Sequence, residues 1–201
     1  MHQRDAYIMS SGMGVTDAIE RFNAKSDIDK FIDTYLFPVV CDGDGYQLKY
    51  MLDWLARVAQ GGRNERDLLL YGPSVCGIDS FVEFLADHVL EHERCCFEIP
   101  GDRETGLENK GLVFIDQVHF EPCCGELSSQ LPNVMVWSGS REQCGWQRSH
   151  YDIDCNSIRG SWWDGGWDGY WSMLHATYLD SAEFGSKFRE FLSTRAPLGE
   201  R

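Results

Sequence analysis

The sequence predicts a three-layer α/β fold on a parallel sheet with a helical lead-in, and three observations carry that prediction. Short apolar runs without polar alternation occur at Leu68-Leu-Leu-Tyr71, Leu112-Val-Phe-Ile-Asp116 and Asn133-Val-Met-Val-Trp-Ser138. Strands buried on both faces of a helix-covered parallel sheet read this way. Each run ends in a glycine loop, a carboxylate or a hydroxyl, and ligands of open α/β sheets bind beyond the carboxyl ends of the strands. Between and around the runs, apolar residues recur at helical spacing, as in Leu48, Met51, Leu52, Leu55, Val58 and Ala59.

The stretch from Asp67 to Phe81, DLLLYGPSVCGIDSF, organises the rest. A buried strand leads into a glycine-bounded loop, Gly72, Pro73, Ser74, Val75, Cys76 and Gly77, and a helical pattern follows in Phe81, Phe84, Leu85, His88 and Val89. Strand, glycine loop and helix form the layout of a phosphate-binding loop, in which small residues let backbone N–H groups curl around a phosphate. That chemistry also needs a Lys for the β/γ-phosphates and a Ser or Thr for Mg²⁺. Here Ile78 stands at the lysine position and Asp79 at the hydroxyl position. The shape is kept and the cation is missing.

At 201 residues and 43% hydrophobic content the chain is long enough for one sizeable core, so one domain with an N-terminal extension is expected. A net charge of −14 argues against a surface coated for nucleic acid, leaving only a local basic patch or a channel formed in an oligomer. No stretch approaches the roughly 18 apolar residues of a membrane span, and residues 1–14 lack the apolar core of a secretory signal. The eight cysteines include the adjacent pairs Cys95-Cys96 and Cys123-Cys124, which do not have the spacing of a zinc knuckle. They read as free thiols of an intracellular protein, in cytoplasm or nucleus, with a weak metal alternative at His119, Cys123 and Cys124.

In order, residues 1–14 are expected to be a loose arm and 15–62 a helical lead-in. Residues 63–195 form the loop-bearing domain with a Trp- and Gly-rich C-terminal part, and 196–201 a tail. A first helix starts near Thr16. Ser26 and Asp29 form a capping box before Ile28, Phe31, Ile32 and Tyr35, and Pro38 is expected to end that second helix. The acidic turn Cys41-Asp-Gly-Asp-Gly45 fails the spacing of a calcium loop. A third helix over 46–60 stops at Gly61-Gly62, residues 95–99 read as a strand, and 101–111 as a charged loop. After Ser138 the composition turns to Gly, Trp, Asp and Ser until a closing helix begins near Ser181 with Phe184, Phe188, Phe191 and Leu192 on one face.

Together, these motifs resemble those of the superfamily 3 helicases, in particular the poxvirus- and phage-type primase-helicase branch, over roughly residues 41–150. The segment DGDGYQLKYMLDWLARVAQGG is similar to the helix before that branch's nucleotide loop, LLLYGPSVCGIDSF to a P-loop NTPase Walker A motif, GLVFIDQ to Walker B, and NVMVWSGSRE to the third motif. Positions 78 and 116 are 38 apart and positions 116 and 138 are 22 apart, spacings compatible with the family.

The resemblance implies that Gly72 to Asp79 hold ATP and that Asp116 coordinates Mg²⁺, with Asp79 at the other metal position. Ser138 would sense the γ-phosphate, and Arg148 would reach a neighbour's nucleotide across a hexameric ring. Gln117 takes the place of the acidic residue that polarises the attacking water, and Gly139 that of the sensor Asn. With Ile78, these departures remove main electrostatic terms, each worth about 10²–10³ in rate at comparable sites.

The expectation is therefore a degenerate, superfamily 3-like P-loop protein: a pseudo-ATPase or weak nucleotide binder that acts as scaffold or regulator in a replication-type assembly, with a protein partner or its own copies. The alternative is an active ATP-dependent helicase of a virus or mobile element, with an unusual cation in place of the lysine. Two further features have plainer readings. Trp162, Trp163, Trp167 and Trp171 could stack single-stranded bases, but no Lys or Arg lies between Gly160 and Asp180, which favours core packing or a protein interface. Asp152 and Asp154 could join Asp116 around a metal, though their spacing does not favour it.

Overall fold

The computed structural model describes residues 20–90, 95–96, 111–116, 133–141, 144, 146, 148–155 and 166–196. Five parallel strands, β1 (Asp67–Tyr71), β2 (Cys95–Cys96), β3 (Leu112–Asp116), β4 (Asn133–Ser138) and β5 (His150–Asp154), form one sheet in the order β2-β3-β4-β1-β5. Leu68, Leu69 and Leu70 of β1 face Met135, Val136 and Trp137 on one side and Tyr151, Asp152 and Ile153 on the other. The apolar runs thus become central strands because they can be buried on both faces, and β1, β3 and β4 begin and end within a residue of the predicted bounds.

Alternate residues serve two cores. Leu68, Leu70, Phe114, Met135, Trp137 and Ile153 point into the larger one, which all the described helices close. Leu69, Tyr71, Val113, Val134 and Val136 form the second, against which Cys144 and Trp146 pack. This is the α/β fold expected, and its two buried sheet faces are consistent with a three-layer arrangement.

Helix α1 (Asp27–Phe31) starts at the predicted capping box: Ser26 Oγ accepts from the Asp29 N–H at 3.1 Å and donates to Asp29 Oδ2 at 2.7 Å. It runs on through wide π-type turns over Ile32–Val40, so Pro38 does not end it. The helix ends only at Cys41, whose N–H donates to the Leu36 carbonyl at 2.9 Å, five residues back. Pro38 brings no N–H to these turns, a cost that the burial of Val39 and Val40 on the core offsets. Helix α2 (Gly45–Ala59) is capped by Asp44, whose Oδ1 accepts from the Tyr46 and Gln47 N–H groups.

Helix α3 (Ile78–Phe84, continued by Leu85–Val89) follows the glycine loop, α4 (Gly166–Leu174, continued by His175–Leu179) lies in the Trp-rich region, and α5 (Ala182–Thr194) closes the chain from its Ser181 cap. Strand β5 and helix α4 were not expected from the sequence. In His150-Tyr-Asp-Ile-Asp154 a single residue, Ile153, is fully buried, because an edge strand carries one polar face and lacks the continuous apolar run. Residues 1–14, most of the strand expected over 95–99, the loop 101–110 and the Cys123-Cys124 pair lie outside the described residues.

Candidate functional site at the carboxyl ends of the strands

The strand order places the loop where an open α/β sheet forms its crevice. From β1 the chain passes through α3 to the β2 edge, while from β4 it leads to β5 on the far side of β1. The two connections diverge between neighbouring strands, which is the topological switch point. Gly72 follows β1 there and donates its N–H to the Ser138 carbonyl at the end of β4 at 3.1 Å. Asp116, at the end of β3, is in register with Trp137, one residue short of Ser138. Gly72, Asp116 and Ser138 therefore lie along one end of the sheet. Ser138 is buried, and its hydroxyl donates to the Ser140 carbonyl at 3.1 Å.

The loop is packed closely against the protein at both of its glycines. After Pro73, Ser74–Cys76 make a single 3₁₀ turn, and Gly77 has φ +68°, a left-handed conformation that a side chain resists. A Cβ on Gly77 would lie 2.0 Å from Cη2 of Trp171, so the six-membered ring of this α4 indole rests against the glycine. From α1, the buried Tyr35 donates its hydroxyl to the Gly77 carbonyl at 2.8 Å, and its ring meets Trp171 edge-on with centroids 6.0 Å apart. Burial holds that phenol well above its ordinary pKa, so it stays a neutral donor. At the loop's start, a Cβ on Gly72 would come within 2.8 Å of both Cβ and the carbonyl oxygen of Cys155, and the Cys155 N–H donates to the Tyr71 carbonyl at 2.6 Å. Glycine is required at 72 and 77 by close packing against Cys155 and Trp171.

Ile78 has no exposed surface and belongs to the larger core, with Phe81, Val82 and Phe84 of the same helix. It is not a lysine position turned towards solvent and merely emptied of charge. Asp79, in the first turn of α3, is half-buried. Val75, at the tip of the loop, is 47% exposed. Gln117 lies outside the described residues, as do Trp162, Trp163 and His119.

Arg148 is not brought to the loop. Its Nε pairs at 3.0 Å with Asp67 Oδ2, at the opposite, amino-terminal end of β1. Gly72 lies five residues further along, about 16 Å at the usual strand rise. Asp67 is buried and also accepts from Trp146 Nε1 at 3.0 Å. Its carboxyl is pushed above the usual range by burial, against the opposing pull of Arg148 and the Trp146 hydrogen bond.

Sequence reasoning passed over Arg141, the cation that the structure does place at the carboxyl end. Its guanidinium lies 5.4 Å from the Tyr71 ring centroid and pairs with Asp154 Oδ2 at 2.8 Å and Asp152 Oδ2 at 3.4 Å. Asp152 and Asp154 are thus ion-pair partners on β5, separated from Asp116 on β3 by two intervening strands, a spacing of roughly 14 Å. Among the described residues no group of three or more His, Cys, Asp and Glu is placed to hold a metal ion.

No protein-family model and no curated protein matches the chain. Solved structures do share its fold, among them three of the C-terminal region of NrS-1. An A-form apo structure of that region has 16% identity and a TM-score of 0.59, covering 83% of this chain and 46% of the other. A second A-form apo structure, of residues 305–718, has 16% identity and a TM-score of 0.56, covering 80% and 43%. A further apo structure of the same residues has 15% identity and a TM-score of 0.50, covering 79% and 49%. The chain spans less than half of the NrS-1 region it resembles, and at these identities the likeness is one of fold. Among the described residues no helix is long and apolar enough to cross a membrane.

Proposed function

We propose that this chain is a helicase-like P-loop protein that has given up nucleotide hydrolysis and serves as a scaffold or regulator in a replication-type assembly. The observation that carries the reading is the closely packed loop: Trp171 lies on Gly77, Tyr35 holds the Gly77 carbonyl, and Ile78 is sealed in the core. Such packing disfavours a triphosphate with Mg²⁺, because the indole crowds the loop glycine and the lysine position is taken by a core isoleucine. The replication context rests on the resemblance of the three ordered motifs to superfamily 3 helicases, and the likeness to the NrS-1 region supports the fold that context requires. Partners would be other proteins or further copies of this chain, with a ring as one arrangement. Nucleic acid would meet it through a local patch or the channel of such a ring, given the net charge of −14.

The test is titration calorimetry of the full chain with ATP and Mg²⁺. The expected outcome is no saturable heat up to about 1 mM, an affinity weaker than about −4 kcal/mol. A micromolar Kd would overturn the reading and favour an active ATPase. One observation favours that second reading: Arg141 sits at the carboxyl end of the sheet, over the residue that precedes Gly72. In that case Arg141→Ala should abolish both binding and turnover.

A further inference from the structure

The corner where α2 leads into β1 gathers cations that have no part in the glycine loop. Between Trp54 and Arg66 three arginines, Arg57, Arg63 and Arg66, stand against one acid, Glu65, in a chain whose net charge is −14. The connection that carries them is fixed to its neighbours. Asn64 donates its N–H to Asn133 Oδ1 at 2.7 Å and its Nδ2 to the Trp54 carbonyl at 3.2 Å, while Trp54 Nε1 donates to the Arg66 carbonyl at 2.9 Å. Arg57 Nη1 donates to the Arg63 carbonyl at 3.3 Å, so its side chain reaches this connection. Arg63 and Arg66 are exposed, and Arg57 is half-buried.

Two aromatic rings adjoin these cations. Tyr50 lies seven residues before Arg57 on α2, two turns away on the same face. Its ring stacks on that of Tyr151 of β5, with centroids 3.8 Å apart and planes 15° apart, and both residues are half-buried. Burial raises the Tyr50 pKa, and the nearby Arg66 guanidinium opposes that rise. Three further acids nearby are engaged: Asp53 is buried between Lys49 at 2.5 Å and Arg195 at 2.6 Å, Asp67 pairs with Arg148, and Asp44 caps α2.

We propose that this corner binds single-stranded nucleic acid, with Arg57, Arg63 and Arg66 on phosphates and the Tyr50–Tyr151 pair as a stacking platform for a base. Cations hold the backbone without regard to sequence, and every base offers a π face to an aromatic ring. The tyrosine pair favours this partner over an acidic protein segment, which offers charge to the arginines but no base to the rings. The choice of polymer rests on the replication-type reading above. Arg66 precedes β1 and the glycine loop follows it, so the two sites are tested apart.

The experiment is fluorescence anisotropy of a short labelled oligothymidylate titrated with the full chain in the absence of ATP. The expected result is saturable binding whose log K falls against log salt with a slope of about −2, from three phosphates at roughly −0.7 each. The double variant Arg63→Ala, Arg66→Ala should bring that slope to about −0.7. Its urea midpoint should stay at the wild-type value, since both side chains are exposed. Tyr151→Leu should weaken binding about tenfold at unchanged slope, and Tyr151→Phe, which keeps the ring, should restore it. The proposal is overturned if the oligonucleotide does not bind at low salt, or if the arginine or leucine variant binds like wild type. It is also overturned if a duplex binds as tightly as the single strand, or if labelled polyglutamate does, which would mark the corner as a dock for an acidic protein. A micromolar Kd for ATP, by contrast, would overturn the loss of nucleotide binding and leave this site standing.

Discussion

Ile78 changes meaning between the motif and the fold. As a letter in a Walker A pattern it is a lost lysine; in three dimensions it is a core residue with no exposed surface. Restoring the motif by Ile78→Lys would bury an unpaired ammonium among Phe81, Val82 and Phe84 rather than offer it to a phosphate. We expect that substitution to cost about 3–5 kcal/mol, the range for an uncompensated buried charge, read as a fall in the urea midpoint at unchanged slope. Recovered ATP binding in a stable Ile78→Lys protein would show the helix free to turn that position outward. The loop glycines are likewise legible in the sequence as glycines, yet the reason for them is steric. Trp171, which lies 94 residues after Gly77, leaves no room for a side chain there.

Among the elements, β5 and its partner β1 carry most of what a one-dimensional reading misses. Their second face holds Asp67 against Arg148 and Trp146, and Arg141 against Asp152 and Asp154. These ion pairs explain the polar composition of the strand, and they give Arg148, Asp152 and Asp154 carboxylate or guanidinium partners within the chain. Asp67 has a pH consequence. Its folded pKa is raised above 3.8, so the folded state binds its proton more tightly than the unfolded chain does. Its contribution to stability is therefore fully present below the unfolded pKa and is lost as pH rises through the folded value. The stability of wild type minus that of Asp67→Asn should decline as pH increases from about 4 through that window, measured by denaturant titration at each pH. A difference that rises with pH would mean that Arg148 outweighs desolvation.

For the molecule as a whole, the larger core ties lead-in and loop domain into one cooperative body. Phe31 of α1 packs its ring against Tyr35, Phe84, Tyr178, Phe184 and Phe188, joining α1, α3, α4 and α5 at a single point. Gln60, beyond α2, donates to the Leu192, Ser193 and Arg195 carbonyls at the end of α5, and Arg195 pairs with the buried Asp53 of α2 at 2.6 Å. We expect Phe31→Ala to cost about 3–5 kcal/mol and to lower the single unfolding transition seen by both far-UV and near-UV signals. Separate transitions by the two probes would instead mark the lead-in as an independent unit.

What the amino-acid order determined by itself is the material carried by local periodicity and local capping. The continuous apolar runs specify β1, β3 and β4, because runs of four or five such residues bounded by loop residues have the length of strands buried on both faces. Ser26 and Asp29 specify the start of α1, and the alternation of these elements specifies a parallel α/β sheet with its crevice after β1. The tertiary structure decided the rest, since it depends on residues far apart in sequence. It set β5 on the edge through ion pairs rather than apolar patterning, and it carried the helix through Pro38 because the core rewards burial of Val39 and Val40. It also brought Trp171 onto Gly77 and Cys155 onto Gly72. Contacts between such distant residues leave no local period to read, and they set how closely the glycine loop is packed.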